Sequence, residues 1–314
     1  MADRVFVTGA AGQIGLPLVR ALAARGLRVG GLARDDAKAA AVREAGGEPV
    51  KGTLEDAAAL AEGLRGARWV FHLAGGVRGR GKNTADVVNR AGTVALVEAL
   101  RGHSPEGVVF ASSCAVYGDR SGLWVPEDYP VSPMTKYGES KVAAEVALRG
   151  WGGPVRFARI AATYGPGFRF LLADQMRSGR AWLPGEGKNH VPVVHVDDCV
   201  AALVRIAEAG RDGEAYHVAG RDTPMLREFY AAVHARAGGK PVRFWSTWIP
   251  SGIQVATARA NERIATRLGT KPRFTEDNLK LYTASVRLRT ERLEKELGFT
   301  WRYGGYEEGV GACF

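Results

Sequence analysis

The sequence belongs to the α/β class: a doubly wound parallel sheet with a smaller, helix-rich C-terminal cap. Three observations predict this. Short apolar runs alternate with longer amphipathic segments through the first half, and strands alternating with helices of about 10–15 residues imply parallel pairing with right-handed crossovers. The first apolar run feeds directly into a glycine-rich turn. The chain has 314 residues, 46% hydrophobic and 24% charged, enough to bury a core without staples and close to ordinary globular usage.

Taken in order, Arg4–Thr8 reads as a strand and Gln13–Arg25 as a helix. Arg28–Ala33 is strand-like, and Asp35–Ala45 helical with Asp35 as N-cap, because its carboxylate can accept a free N–H of the first turn. Pro49–Gly52 is a strand and Glu55–Leu64 a helix. Trp69–Leu73 is an apolar strand and Thr84–Leu100 a long helix. Val108–Ala111, a loop, a helix over Tyr137–Leu148 and the strand Val155–Ile160 complete the regular part. The second half is less regular. Phe168–Ser178 reads as helical, Val191–His195 as a strand feeding a helix over Asp197–Ala209, and Ala215–Val218 as another strand. Leu226–Ala237, Ile249–Leu268 and Thr290–Leu297 read as helices. Val191–Ala219 is expected to return to the main sheet.

Composition narrows the function classes. No apolar run reaches the ~18 residues of a membrane span, and the N-terminus enters a strand-like run without a basic flank and long apolar stretch, unlike a secretory signal. A cytoplasmic location is the expectation. Cys114, Cys199 and Cys313 are far apart with no CxxC, which fits a reduced compartment and no metal site. His190 and His195 do not form a metal pair, and His195, in an apolar run, reads as a core histidine. The net charge is +10, with 33 of the 43 basic residues arginine. No dense basic block with interleaved aromatics occurs, so nucleic acid is not the expected partner; a basic surface suits a phosphate-bearing small ligand.

The first strand ends in Thr8-Gly9-Ala10-Ala11-Gly12-Gln13-Ile14-Gly15. Between a strand and a helix, this spacing gives a tight turn, a close backbone approach to a pyrophosphate, and a helix N-terminus aimed at the anion. The alternative for the motif alone is a plain strand-to-helix turn. The pattern makes the sheet a Rossmann-type dinucleotide fold. Residues 1–166 and 191–222 are assigned to the dinucleotide-binding domain, and 167–190 and 223–314 to a substrate-binding cap. An NAD-preferring site usually places a carboxylate after the second strand for the ribose 2′-hydroxyl. Here Ala33 is followed by Arg34, a guanidinium that can clamp a 2′-phosphate. NADP(H) is therefore expected over NAD(H). Otherwise Arg34 is an ordinary surface arginine, with Asp35 and Asp36 beside it.

Further on stands Tyr137-Gly138-Glu139-Ser140-Lys141. On a helix, Tyr137 and Lys141 share a face. An unperturbed phenol ionises near pH ~10, and a neighbouring ammonium favours phenolate, so Lys141 is expected to lower the Tyr137 pKa. A surface helix pair is the plainer reading. The buried strand before it ends in Ser112-Ser113-Cys114-Ala115-Val116-Tyr117-Gly118, and a hydroxyl at the carboxyl end of a parallel strand faces the ligand crevice.

With these pieces the sequence resembles the extended short-chain dehydrogenase/reductase superfamily, also called the NAD-dependent epimerase/dehydratase superfamily. The glycine turn, His72-Leu73-Ala74-Gly75, Asn89-Arg90-Ala91-Gly92-Thr93, the Ser113 run, the Tyr137–Lys141 pentapeptide, Arg159-Ile160 with Tyr164-Gly165-Pro166-Gly167, and Val194-His195-Val196-Asp197-Asp198 occur in family order across nearly the whole chain. The resemblance implies a catalytic Ser113, Tyr137 and Lys141. Ser113 would hydrogen-bond the substrate oxygen, Tyr137 would transfer its proton, and Lys141 would tune Tyr137 and hold the ribose. Asn89 would act in support. The resemblance also implies cofactor contacts at Gly9, Gly12, Gln13, Ile14, Gly15, Arg34, Thr53, Leu54, Leu73, Ala74, Gly75, Tyr137 and Lys141. Many relatives dimerise through the helices holding Asn89 and Tyr137, so a homodimer is one assembly the resemblance allows, and nothing in the sequence decides it.

Departures from the family point to its branch. Cys114-Ala115 stand where 4,6-dehydratases carry Asp-Glu. Ala162 replaces the Asn before the tyrosine of the YGP motif, Val191 an arginine that grips a diphosphate, and Thr53 an adenine-binding Asp. The ending Leu297-Gly298-Phe299 with Tyr306-Glu307-Glu308-Gly309-Val310 resembles 3β-hydroxysteroid dehydrogenase-like and dihydroflavonol-reductase-like members. Phe168, Phe170, Trp182, Phe244, Trp245 and Trp248 can line an apolar pocket with a few polar handles, or be core. Cys114, Phe168, Trp182 and Trp245 are the substrate-side candidates. Arg78, Arg80, Lys82 and Arg169 are expected in loops bordering the crevice, either to read a substrate carboxylate or phosphate or, the plainer reading, to be solvated. The implied activity is an NADP(H)-dependent ketone or aldehyde reductase, or alcohol dehydrogenase, acting on a hydrophobic small molecule. The rivals are a nucleotide-sugar epimerase with tightly bound NAD and a non-catalytic NADP(H)-sensing regulator; the Tyr/Lys pair counts against the latter.

Overall fold

In the computed structural model, which describes residues 3–75, 85–244, 251–268, 270 and 275–314, the first half follows a strict strand–helix alternation. It runs β1 (Arg4–Thr8), α1 (Gly15–Ala23), β2 (Arg28–Ala33), α2 (Asp36–Glu44), β3 (Glu48–Lys51), α3 (Ala57–Leu64), β4 (Ala67–His72), α4 (Ala85–Leu100) and β5 (Gly107–Ser113). Side-chain caps start α2, as expected, and α3. Asp35 accepts from the Lys38 N–H at 2.8 Å and Asp56 from the Ala59 N–H at 3.1 Å. There follow β6 (Trp124–Val125), α5 (Lys136–Trp151), β7 (Val155–Ile160), β8 (Ala162–Tyr164), α6 (Ala173–Arg177), β9 (Trp182–Leu183), β10 (Val193–His195), α7 (Val196–Ala209) and β11 (Ala215–Val218). The last elements are α8 (Leu226–Ala237), β12 (Arg243–Phe244), α9 (Ser251–Arg267), α10 (Glu276–Thr283), β13 (Arg287–Leu288) and α11 (Tyr306–Gly311).

Seven strands form one parallel sheet in the order β3-β2-β1-β4-β5-β7-β11. The expected doubly wound sheet is therefore present. Its central strands are buried on both faces, β5 along all seven residues, because helices cover both sides. Leu18, Leu22, Val42 and Leu203 from α1, α2 and α7 pack on one face. Leu60, Leu96, Leu100 and Leu148 from α3, α4 and α5 pack on the other. The strand order reverses between β1 and β4, so a crevice opens beyond their carboxyl ends.

The second half departs from expectation in several places. Val193–His195 pairs with Ala162–Tyr164 in a two-stranded parallel sheet, and within Val191–Ala219 it is Ala215–Val218 that joins the main sheet. The helix expected over Phe168–Ser178 is broken. A 3-10 turn at Arg169–Leu171 stops at Leu172, whose left-handed φ of 52° separates it from α6. Thr290–Leu297 forms a π-helical turn over Arg292–Glu296, with Leu297 N–H donating to the Arg292 carbonyl. Helices α10 and α11 were not expected. A third cluster unites Tyr164, Leu171, Leu183, Phe229, Tyr230 and Val310, with Phe170 and Phe229 ring centroids 5.3 Å apart. Among the described residues no helix is long and apolar enough to cross a membrane.

One glycine shows how closely the layers approach. Gly63 of α3 lies against the ring of Phe6, and a Cβ there would stand 2.2 Å from a ring carbon. Phe6 is fully buried in β1, so the ring has no vacant direction. Gly63→Ala is expected to destabilise the protein by about 1–3 kcal/mol despite alanine's higher helix propensity, read as a lower denaturant midpoint at unchanged m-value.

Candidate active site

The crevice, about 1270 Å³ in volume, is built first by the turn after β1. Gly9 has φ +69°, and a Cβ on it would stand 2.7 Å from the backbone of Leu73 and Ala74. A Cβ on Gly15 would stand 2.1 Å from the Gly9 carbonyl oxygen. Neither position has room for a side chain. The Gly12 N–H closes the turn onto Gly9 at 2.9 Å. No side chain caps the start of α1, and its first turn carries no acid, so its free N–H groups and dipole remain available to an anion. Gly9, Gly12, Gln13, Ile14 and Gly15 all line the crevice.

The β1–β4 junction is fixed by a directed chain of hydrogen bonds. The Ala74 N–H donates to Thr8 Oγ1 at 3.2 Å, and Thr8 Oγ1 donates to His72 Nδ1 at 2.7 Å. His72 Nε2–H donates to Thr93 Oγ1 at 3.0 Å, which donates to the Asn89 carbonyl at 2.9 Å. Burial, aided by the Lys141 charge, pushes the imidazole down to about 3, so His72 is neutral and structural. Leu73 and Gly75 line the crevice next to it.

Thr135 caps α5 by accepting from the Gly138 N–H at 3.0 Å, which places Tyr137 in the first turn and Lys141 one turn later. Ser113 ends β5, and its hydroxyl accepts from the Ala115 N–H at 3.2 Å. Ser113, Tyr137 and Lys141 line the same crevice. Lys141 Nζ donates to the Ala111 carbonyl at 2.7 Å and lies 5.9 Å from the Tyr137 ring centroid. Burial pushes this ammonium down to about 8, while Glu145 raises it.

The expected acidification of Tyr137 by Lys141 is corrected by the structure. Burial pushes the phenol up to about 12; the hydrogen bond with Ser113 lowers it and Cys114 raises it. Desolvation of a would-be phenolate is the dominant effect. The Tyr137 phenol thus keeps its proton at neutral pH.

The remaining candidates divide. Cys114 and Phe168 line the crevice. Arg34 follows β2 as an exposed side chain, paired with Asp35 at 3.2 Å, and does not line the crevice. Lys38, which the sequence reading missed, reaches the glycine turn, its Nζ 3.4 Å from the Ala11 carbonyl. Thr53 Oγ1 accepts from the Glu55 N–H at 3.3 Å. Leu54 packs on Gly92 of α4, where a Cβ would stand 2.5 Å from its Cδ1. Trp182 is placed elsewhere: it is 50% exposed, beneath Arg243 at 5.2 Å and outside the crevice lining. Trp245, Trp248, Arg78, Arg80 and Lys82 lie outside the described residues, as does the Arg169 side chain.

Asn89 is buried and donates to Ser140 Oγ at 3.1 Å, supporting α5. His195 is a core histidine that caps α7 by accepting from the Asp197 N–H at 3.2 Å, packed between Tyr164 and Tyr303. Asn189, His190, Lys280 and Tyr282 also line the crevice and were missed. No motif marks them: Lys280 and Tyr282 lie on α10 and Asn189 and His190 just before β10, segments that reach the site only through folding. Among the described residues no cluster of histidine, cysteine and acidic side chains can hold a metal ion.

Comparison with known proteins agrees with this architecture. The NAD dependent epimerase/dehydratase family matches residues 5–219. The 4-hydroxy-2-methyl-3-oxo-4-farnesyl-3,4-dihydroquinoline-1-oxide ketoreductase of Stigmatella aurantiaca is 29% identical, over 98% of this chain and 95% of the relative. The UDP-glucose 4-epimerase of Mycolicibacterium smegmatis is 32% identical, over 75% of this chain and 83% of the relative. Among solved structures, MoeE5 in complex with UDP-glucuronic acid and NAD is 25% identical with a TM-score of 0.75, covering 99% of this chain and 97% of that one.

The crowding at the glycine turn gives a direct check. Gly15→Ala is expected to cost about 2 kcal/mol or more of stability, since the nearest atoms are backbone and cannot rotate away, and to weaken dinucleotide binding at least tenfold. Chemical denaturation and fluorescence titration with dinucleotide measure the two effects.

Proposed function

The chain belongs to the NAD-dependent epimerase/dehydratase family, and we propose that it is an NADP(H)-dependent oxidoreductase interconverting a ketone or aldehyde and an alcohol on a hydrophobic small molecule. In this reading residues 1–166 and 191–222 carry the cofactor, and 167–190 and 223–314 cap the substrate. The side-chain-free cradle at Gly9 and Gly15 and the uncapped start of α1 fit a dinucleotide pyrophosphate. Lys141 would hold the nicotinamide ribose, and Arg34 with Lys38 the 2′-phosphate. When bound, the nicotinamide supplies or accepts the hydride. Ser113 holds the substrate oxygen by a hydrogen bond. Tyr137, neutral at working pH, gives its proton to that oxygen in reduction and takes it back in oxidation. The Lys141 ammonium stabilises the phenolate that remains.

The observation that carries the reductase reading is the other wall of the crevice. Phe168, Phe170, Leu171, Leu172 and Val191 supply apolar surface. Its described cations are already paired: Arg177 with Asp174 at 2.5 Å and Lys280 with Glu276 at 3.0 Å. An apolar carbonyl compound fits this wall better than a nucleoside diphosphate. The full-length likeness to a ketoreductase supports the same choice. A second reading, a nucleotide-sugar epimerase with tightly held NAD, is favoured by the likeness to UDP-glucose 4-epimerase. A homodimer through α4 and α5 belongs to the proposal, supported by the exposed Val94 and Val146 on those helices.

Absorbance at 340 nm separates the readings. Net NADPH oxidation with apolar ketones or aldehydes is expected; interconversion of UDP-hexoses at C4 without net oxidation would replace the reductase by the epimerase. Tyr137→Phe is expected to cut turnover by about 10²–10⁴-fold while leaving cofactor affinity within about twofold. The joint change Arg34→Ala and Lys38→Ala is expected to weaken NADPH binding by about 10–100-fold and NADH binding hardly at all. Equal effects on both cofactors would remove the NADP(H) preference.

A further inference from the structure

Tyr137, Lys141 and Glu145 succeed one another at four-residue intervals on α5, so they share a face. The first two line the crevice, and Glu145 is buried behind them. Two strands engage its carboxylate. Ser112 of β5 donates to Oε1 at 2.5 Å. Arg159 of β7 donates from Nε at 3.1 Å and from Nη2 at 2.9 Å. Arg159 Nη1 continues to the Tyr117 hydroxyl at 2.7 Å and to the Glu127 carbonyl at 2.9 Å. The Tyr117 hydroxyl, accepting there, donates to His217 Nε2 at 2.7 Å, and His217 Nδ1–H donates to the Arg289 carbonyl at 2.6 Å.

This network brackets the segment that carries Ser113. Lys141 holds the Ala111 carbonyl, Glu145 holds the Ser112 hydroxyl, and Arg159 with His217 holds Tyr117. Ser113 lies between these anchors. We propose that Glu145 is a positioning residue for hydride transfer: its carboxylate keeps Lys141 charged and fixes Ser112, and through it Ser113, opposite Tyr137. The proposal rests on the oxidoreductase reading above.

The surroundings of Lys141 isolate the effect. On its own helix it meets Tyr137, a neutral phenol, and Glu145. From β4 it faces His72, neutral by burial. The α4 side presents uncharged Asn89, within reach at the Gly75 turn. At the end of β5 the Cys114 thiol is pushed up to about 11 by burial and stays neutral. The Arg159 charge of β7 is bound bidentately to Glu145. Glu145 is therefore the anion that opposes desolvation of the ammonium. Without it, Lys141 loses its proton at lower pH.

The test uses the full chain labelled with ¹⁵N-lysine. The Lys141 Nζ resonance is identified by its absence from Lys141→Met and titrated with pH. Glu145→Gln keeps an acceptor for Ser112 and removes the charge. The Lys141 midpoint is expected to fall by about one pH unit, the alkaline limb of kcat for NADPH oxidation to fall with it, and Glu145→Asp to restore much of both. Because Glu145→Gln leaves Arg159 buried without its partner, Glu145→Gln with Arg159→Met serves as a second variant; it removes the neighbouring cation as well, so a smaller fall in the same direction is expected. An unchanged Lys141 midpoint in a folded variant overturns the proposal. So does a shifted midpoint with an unshifted turnover profile. Absence of carbonyl-dependent NADPH oxidation in the unmodified protein counts instead against the oxidoreductase reading, and the lysine titration still decides whether Glu145 sustains the charge.

Discussion

A single buried ammonium organises the site. Lys141 is drawn between α5 and the end of β5, where water is scarce and an uncompensated charge is costly. The Ala111 carbonyl takes one of its hydrogen bonds and the ring of Phe110 lies 4.9 Å away. One helix turn on, the Glu145 carboxylate is bound bidentately by Arg159. The ion pair then needs donors and acceptors for its remaining atoms, which Ser112, Tyr117 and the Glu127 carbonyl provide. A buried charge pair of this kind adds little net stability, and its value lies in fixing where the strand end and the helix meet.

The same logic explains the opposed behaviour of the two groups on α5. Desolvation disfavours the charged form of each, so it lowers the lysine and raises the tyrosine. The phenol is left as a proton donor and the ammonium as a weakened but still charged neighbour. On the far side of the crevice the glycine turn contributes no side chain at all. Its chemistry is backbone N–H groups and a helix dipole, which suit a pyrophosphate. A reaction that needs a proton at one wall and a bound dinucleotide at the other is thus divided between side chains and main chain.

Much of this was readable in the residues because it is local. GxxGxxG after a strand specifies a tight turn, crowded at Gly15 by the backbone of Gly9 and Ala10, and the spacing of Tyr137 and Lys141 is a helix repeat. The N-cap at Asp35 and the strand ending in Ser113 are local as well. The misreadings share a cause. Trp182 was grouped with the crevice because it is aromatic, yet its two-residue strand pairs with β12 and leaves it under Arg243. The Tyr137 pKa was judged from its nearest charge, whereas burial by distant segments outweighs it. Lys38 escaped notice since its reach to the glycine turn depends on how α2 packs against β2 and β3.

What the chain determined by itself is the alternation of strand and helix, the tight glycine turn, and the set of phenol and ammonium on one helix face, because each is fixed within a few residues. Tertiary structure alone decided which wall faces that set, how Leu172 breaks the cap helix, why α10 contributes to the crevice, and that Glu145 meets Arg159. Those outcomes depend on desolvation and packing between segments far apart in sequence, quantities that have no value until the sheet has closed around them.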